Sequence, residues 1–282
     1  MPLPDSFDLD AFVAQALAED LGQGGDLTSK ATIPADARFT AEMNCREPIV
    51  VAGLEIGAAF FRALDAEVTI EMPVDDGDRV ENGAVLMRLA GNARAMLAAE
   101  RPALNTLQHL SGIATLTRRY VDAIEGTGAV LIDTRKTIPG LRVLEKYAVR
   151  MGGARNHRMR LDDGVLIKDN HVAVCGGVAE AVRAAKSANT GLQVQVEVDR
   201  IAQIEPALDA GADRLLLDNM TPAVLREAVA LVGGRVPLEA SGGVNLDTIR
   251  ATAETGVDFI SVGRITQSAP AVDIGLDYAM SR

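Results

Sequence analysis

Val130-Leu131-Ile132-Asp133-Thr134-Arg135-Lys136 and Val165-Leu166-Ile167-Lys168 open the part of the chain whose reading decides the fold. Four further runs come after them: Val194-Gln195-Val196-Glu197, Leu215-Leu216-Leu217-Asp218, Leu238-Glu239-Ala240-Ser241-Gly242-Gly243 and Phe259-Ile260-Ser261-Val262-Gly263. Each is short, rich in Val, Ile or Leu, and ends on a polar residue or glycine. Runs of this length, separated by helix-like stretches over 178–188, 201–210, 222–231 and 246–255, predict parallel strands buried on both faces. The connections Asp209-Ala210-Gly211-Ala212-Asp213 and Glu254-Thr255-Gly256-Val257-Asp258 match each other and read as a C-cap glycine leading into the next strand, which supports a βα array. In an α/β barrel the C-terminal strand ends and the loops after them build the active site. Here those ends supply two lysines, an arginine, two acids and glycine turns, a set suited to a substrate with several negative charges and a sugar ring.

Composition narrows the class. The 282 residues are 48% hydrophobic and 24% charged, ordinary for a globular protein. A net charge of -11 argues against a nucleic-acid partner held by a general basic field. Basic residues nonetheless crowd between Arg135 and Lys168, which reads as a local anion site on an acidic protein. Cys45 and Cys175 lack metal-ligand spacing and are expected to be free thiols of a reducing compartment. Met1-Pro2-Leu3-Pro4-Asp5 lacks the basic and apolar regions of a signal peptide, and no apolar stretch is long enough to span a bilayer. The expectation is a soluble, cytoplasmic protein without a membrane partner.

The first half reads differently. Leu9, Phe12, Val13, Ala16 and Leu17 lie at helical spacing within 8–21, and Gly22-Gln23-Gly24-Gly25 breaks that helix. Strand patterns come next at 39–43, 49–52, 68–70 and 85–87, interrupted by a helix over 57–64, so a mixed α/β domain with a small antiparallel sheet is expected. The stretch 74–86 resembles the hairpin of biotinyl or lipoyl carriers. Such a carrier needs a lysine at its tip, and none lies between Lys30 and Lys136, so the hairpin is structural. Residues 93–125 are helical, with breaks expected near Arg101-Pro102 and Ser111-Gly112; Pro102 in a first turn would leave Arg101 just outside a helix N-terminus.

Arg135, Lys136, Arg155, His157, Arg158, Arg160 and Lys168 form the basic set. Arginine forks grip carboxylates and phosphates in pairs of bonds, and lysine supplies a compact charge. Some of these arginines could instead pair with Asp162 or Asp163. Glu197 and Asp218 end adjacent strands, where carboxylates can hydrogen-bond ribose hydroxyls, hold Mg²⁺ or steady a developing cation; they could also pair with Lys136 and Lys168. Ser241-Gly242-Gly243 and Gly263 come after the last two strands, where backbone N–H groups commonly meet phosphate. His109, His157 and His171 lack the pairing of a zinc site.

These motifs closely resemble the quinolinate phosphoribosyltransferase family over nearly the whole chain. They include Gly25-Asp26-Leu27-Thr28, Glu100-Arg101-Pro102-Ala103-Leu104-Asn105, Asp133-Thr134-Arg135-Lys136-Thr137, Glu145-Lys146-Tyr147-Ala148-Val149, Asn156-His157-Arg158 and Leu166-Ile167-Lys168-Asp169-Asn170-His171. Glu197-Val198-Asp199, Leu217-Asp218-Asn219 and Glu239-Ala240-Ser241-Gly242-Gly243 fit the later strands. The resemblance implies an incomplete six- or seven-stranded α/β barrel over 111–270, an N-terminal mixed α/β sandwich domain over 1–110, and a C-terminal helix over 271–282 packing back on that domain. It implies transfer of phosphoribose from 5-phosphoribosyl 1-pyrophosphate to quinolinate with decarboxylation, giving nicotinate mononucleotide, pyrophosphate and CO₂ in de novo NAD biosynthesis. Arg101, Arg135, His157, Arg158 and Lys168 would bind the two quinolinate carboxylates, and Thr134 would join the substrate-binding set. Lys136, Glu197 and Asp218 would be the catalytic set, with Mg²⁺ held mainly through substrate and by Glu197 and Asp218. Ser241, Gly242, Gly243 and Gly263 would receive phosphate. The resemblance also implies a homodimer or homohexamer in which Arg101 serves the neighbouring subunit's site. One departure is Met159-Arg160, where the family often has a small residue after its His-Arg pair.

Three other readings compete. A transferase-like protein associated with molybdenum transport is expected to lack the lysine present here as Lys168. Nicotinate phosphoribosyltransferase binds a single carboxylate and has less use for so many arginines. A non-catalytic ligand-binding barrel would need the acids and lysines to be mere ion pairs.

Overall fold

The computed structural model describes residues 7–278. The chain forms two compact units: one takes the chain up to Thr117, Val143–Gly153 and the residues from Ala269 on, the other Arg118–Arg142 and Ala154–Ser268. This partition differs from an expected division at 110/111. The segment Val143–Gly153 belongs with the first unit because its backbone lies flush on the long helix there: a Cβ on Gly152 would sit 2.5 Å from Thr117 Cβ and 2.6 Å from the Ala114 carbonyl oxygen.

In the first unit, helix α1 (Leu9–Leu21) begins where Asp8 accepts a hydrogen bond from Ala11 N at 2.9 Å. Asp26 caps the short α2 (Leu27–Thr32) in the same way. Strand β1 (Arg38–Cys45) alternates, with Ala41, Met43 and Cys45 wholly buried. A short β2 (Ile49–Val50) leads to α3 (Leu54–Leu64), which buries Phe60 and Phe61. Strands β3 (Thr69–Glu71), β4 (Arg79–Val80) and β5 (Val85–Asn92) come next, with β4 paired to β2. The stretch 74–86 thus serves structure. Its Asp76 accepts from Gly53 N and Leu54 N at 2.9 and 3.1 Å, satisfying the first turn of α3.

Helix α4 (Ala93–Ala123) runs 31 residues without a break, correcting both interruptions expected from Pro102 and Gly112. Arg101 therefore lies within the helix, on an exposed position, and not at an N-terminus. A mid-helix proline costs about 3 kcal/mol. Burial of Leu104, Leu107, Leu110 and Ile113, none more than 3% exposed, offsets it at roughly 1.5–3 kcal/mol each. Gly112 answers a packing need: a Cβ there would fall 2.1 Å from the Pro270 carbonyl oxygen.

The second unit holds the parallel sheet. Its strands are β6 (Val130–Ile132), β7 (Val165–Ile167), β8 (Val194–Val198), β9 (Arg214–Asp218), β10 (Leu238–Ser241) and β11 (Phe259–Ser261). They lie in the order β6-β11-β10-β9-β8-β7, every neighbour parallel, as the apolar runs predict. The sheet is a six-stranded, incomplete barrel. A single parallel bridge, Ile132 to Arg155, occupies the outer edge of β6. The intervening α5 (Arg142–Met151) straddles both units; α6 (Asp169–Cys175), α7 (Val178–Ser187), α8 (Ile204–Asp209), α9 (Pro222–Val232), α10 (Ile249–Ala253) and α11 (Arg264–Gln267) belong to the second. The matched connections do the same work twice. Gly211 and Gly256 both hold φ +91°, and Asp213 and Asp258 each accept, at 2.7 Å, the N–H of the neighbouring strand's first residue, Val194 or Leu238.

A C-terminal helix over 271–282 is not what forms: Ile274–Tyr278 is a strand, β12, antiparallel to β1 and completing a sheet of order β12-β1-β5-β3. Residues 279–282 lie outside the described residues. The open edge of β1 offers a row of unpaired backbone groups, and pairing there buries Ile274 in a way an isolated short helix could not. Cys45 and Cys175 are both free, the first buried and the second exposed. Among the described residues no helix is long and apolar enough to cross a membrane.

Candidate active site

A pocket of about 860 Å³ opens at the C-terminal ends of the parallel strands, and its lining lies wholly in the second unit. Thr134, Arg135 and Lys136 after β6, Lys168 after β7, Glu197 of β8, Asp218 of β9, Ser241 at the end of β10 with Gly242 and Gly243 after it, and Gly263 after β11 all line it, joined by His157 and Arg158. Parallel pairing aligns these ends. Ser241 sits opposite Asp218, and Glu197 opposite Leu216, so the acids and the serine succeed one another around the rim.

One side of the pocket is basic. Lys136 is held by backbone bonds: its N–H donates to Thr134 Oγ1 at 3.0 Å and its carbonyl accepts from Thr266 Oγ1 at 2.8 Å. Its aliphatic stem crosses Gly263 so closely that a Cβ there would lie 2.8 Å from Lys136 Cδ. Arg158 donates through Nη1 to the Gly164 carbonyl at 2.8 Å, and its backbone N–H to His157 Nδ1 at 2.7 Å. Burial, with the positive charge of Arg135 nearby, holds the Arg158 guanidinium below its usual basicity. Arg135 Nε is buried with no acceptor among the described residues. Like charges set together with an unmet donor favour an anion between them.

The facing side is acidic. Burial raises the Glu197 carboxyl above the ordinary range, and the charge of Asp218 adds to this while Lys168 opposes it. Burial also raises Asp218, against a hydrogen bond from Asn219 Nδ2 at 2.6 Å and the charges of Lys168 and Lys136. The acids feel the lysines through space; no ion pair joins Glu197 or Asp218 to Lys136 or Lys168 among the described residues. Two carboxylates beside room for phosphate suit a divalent cation that completes its shell with substrate oxygens.

The glycine turn closes the rim. Gly242 holds φ +92° and Gly243 φ +65°, left-handed values that turn the backbone into a shallow cradle. A Cβ on Gly242 would collide with Asn219, at 2.2 Å from Oδ1 and 2.9 Å from its backbone N.

Not every expected residue gathers here. Arg101 belongs to the first unit and does not line the pocket. Arg160 is exposed and pairs with Asp162 at 2.8 Å, so it reaches a neighbouring acid and leaves the pocket lining alone. His171 turns back to accept from Lys168 N at 3.0 Å, and His109 meets Glu145 at 3.0 Å. Arg155 lines a second cavity, of about 440 Å³, among the strand starts Val165, Arg214 and Phe259. Asp169, Asn219, Asn245, Arg264 and Gln267 line the main pocket, although the strand-end pattern does not single them out. The signal that could have found Asn219 is its residue type, one able to adopt the left-handed φ of +55° it holds.

The family models for the N-terminal and C-terminal domains of quinolinate phosphoribosyl transferase match residues 26–111 and 113–277. The chain is 44% identical to the carboxylating nicotinate-nucleotide pyrophosphorylase of Mycobacterium leprae, covering 94% of this chain and 95% of that protein. It is 40% identical to the chloroplastic carboxylating nicotinate-nucleotide pyrophosphorylase of Arabidopsis thaliana, covering 98% and 84%. The solved structure of the nicotinate-nucleotide pyrophosphorylase from Francisella tularensis superposes with a TM-score of 0.93 at 39% identity, over 99% of this chain and 100% of that one.

Proposed function

This chain belongs to the quinolinate phosphoribosyltransferase family, and from that premise we propose that its strand-end pocket joins quinolinate to the ribose of 5-phosphoribosyl 1-pyrophosphate. The reaction is the decarboxylating transfer that yields nicotinate mononucleotide, pyrophosphate and CO₂, a step of de novo NAD biosynthesis. One observation carries the assignment of parts: a basic set and a pair of acids line a single pocket together with a glycine cradle.

Arg135, Arg158 and Lys168, with Thr134 and His157 beside them, hold the two quinolinate carboxylates and aim the ring nitrogen at C1 of the ribose. As that nitrogen bonds to C1, the C1–oxygen bond breaks and pyrophosphate leaves with the electron pair. Positive charge grows on the ribose and negative charge on the leaving group. Glu197 and Asp218, both half-buried, face the first and the exposed Lys136, its backbone fixed by Thr134 and Thr266, the second, so little reorganisation is needed. Ser241, Gly242, Gly243 and Gly263 receive the 5-phosphate through hydroxyl and backbone N–H donors. The pyridinium then accepts the electron pair released as the neighbouring carboxylate departs as CO₂, and a proton takes its place. Glu197 and Asp218 would help hold Mg²⁺ that arrives with the pyrophosphoryl donor, and the ion would supply charge neutralisation for the leaving group.

The protein acts as a cytoplasmic homo-oligomer, dimer or hexamer. Arg101, exposed on α4 in the unit that does not hold the pocket, serves the neighbouring subunit's quinolinate. Incubating purified protein with quinolinate, phosphoribosyl pyrophosphate and Mg²⁺ tests the reading: nicotinate mononucleotide and CO₂ form in equal amounts and only with all three. Nicotinate accepted in preference to quinolinate would overturn it.

A further inference from the structure

Two carboxylates are buried completely beneath the basic arc and reach no pocket surface. Asp133 is 0% exposed and Glu239 is 1% exposed, and neither lines the substrate pocket. Both attach to the same three-residue segment. Asp133 accepts from the Asn156 side-chain amide and from the His157 backbone N–H, each at 2.7 Å. Glu239 lies in mid-strand on β10, with its Oε2 3.5 Å from His157 Nε2, 2.8 Å from Gln195 Nε2 and 2.7 Å from Arg214 Nη2. The Arg214 approach is an ionic contact whose angle falls short of a hydrogen bond; its guanidinium stacks on Phe259 at 4.0 Å.

The His157 ring is thereby committed at both nitrogens. Nδ1 accepts from the Arg158 backbone N–H, which requires a lone pair there, so in the neutral ring the proton is on Nε2 and points at Glu239. We propose that Glu239 is a positioning residue for substrate binding: it fixes the Nε2–H tautomer of His157, which holds the Arg158 backbone and so aims the Arg158 guanidinium into the pocket. This rests on the reading of the pocket as the quinolinate site. A charged group in the middle of a buried strand costs stability unless it is used, and here burial raises the Glu239 carboxyl while His157, Arg214 and Gln195 more than reverse the shift, keeping it ionised.

The test separates the hydrogen-bond acceptor from the buried charge. In an Arg214→Met background, which removes the buried counter-charge, Glu239→Gln keeps an acceptor for His157 and Glu239→Leu does not. The chain has three histidines, so ¹⁵N-labelling of the imidazoles resolves the tautomer of each. Wild type and the Gln variant are expected to show His157 as the Nε2–H form, with quinolinate KM within about twofold of each other. The Leu variant is expected to show mixed tautomers and a quinolinate KM raised roughly tenfold or more, with phosphoribosyl pyrophosphate KM unchanged, the usual scale for losing an orienting partner. Equal KM values and tautomers in the Gln and Leu variants would overturn the proposal. So would an Nδ1–H tautomer of His157 in the wild-type protein, which needs no variant to fold. Failure of wild type to use quinolinate would instead strike the functional reading and leave the tautomer measurement standing.

Discussion

Gly242→Ala should damage both stability and turnover, and the two losses have separable origins. The residue holds φ +92°, so any L side chain there costs about 1–2 kcal/mol in backbone strain. The added Cβ would also fall 2.2 Å from Asn219 Oδ1, 2.6 Å from its Cγ and 2.9 Å from its backbone N. The side chain could rotate away, but the backbone N is tied at 2.9 Å to the Ser241 carbonyl at the end of β10. Forced overpacking of this kind adds about 1–3 kcal/mol. The sum, about 2–5 kcal/mol, corresponds to a fall in Tm of roughly 4–20 °C at about 2–4 °C per kcal/mol. Asn219 Nδ2 holds Asp218 at 2.6 Å, so moving Asn219 frees the carboxylate that the proposed mechanism sets at the reacting ribose. Displacement by about 1 Å can cost on the order of a hundredfold in kcat/KM. Gly243→Ala is the control: its φ is +65° but nothing lies within 4 Å of the new Cβ, so it should lose only about 1 kcal/mol in the absence of substrate. Thermal unfolding by circular dichroism and a steady-state assay check both. A Gly242→Ala protein that melts within about 1 °C of the parent, or no lower than Gly243→Ala, would refute the steric argument.

Gly263→Ala should do the opposite, sparing the fold and harming catalysis. Its φ of -70° suits any residue, and the clash is with the flexible stem of Lys136, so Tm should stay within about 3 °C while kcat falls at least tenfold; an unchanged kcat would remove Lys136 from the reacting centre. Glu197→Gln should stabilise the protein near neutral pH. Its carboxyl is raised in the folded state, so ionisation above the unfolded-state pKa costs the native fold, a cost the amide escapes; the gain should vanish as pH falls below the ordinary carboxylate range, and pH-dependent melting would show it. For the same reason kcat/KM of the parent should fall on an acid limb displaced upward from the usual carboxylate values, and a limb at or below them would contradict ionised Glu197 and Asp218 as the working forms. Arg101→Ala mixed with Lys136→Ala should regain part of the activity lost by each when subunits exchange; complete absence of rescue, with exchange demonstrated, would place Arg101's contribution within its own chain.

The strand-end pattern made most of the pocket legible. A continuous Val, Ile and Leu run ending in a polar residue is a local signal, because burial on both faces dictates the run and the barrel's rim dictates the polar residue at its end. Leu215-Leu216-Leu217-Asp218 could hardly be read otherwise, and the repeated Gly-x-Asp before β9 and β11 marked two equivalent strand starts. The misleading signals were also local. Pro102 and Gly112 ordinarily end helices, yet α4 passes through both. Residues 271–282 carried too little pattern to separate helix from strand.

By itself, the sequence determined the parallel strands, the order of charges along them and the family to which the motifs belong, since each depends on neighbours a few residues away. Tertiary structure alone decided three other matters. Helix α4 stays whole because distant side chains cover Leu104, Leu107 and Leu110, and β12 forms because β1 has an edge to complete. The acid of β10 reads as one odd letter in an apolar run until the fold sets it within reach of His157, 82 positions earlier in the chain. Spacing in sequence cannot reveal such contacts, because the energy that makes them comes from surfaces that meet only when the chain has folded.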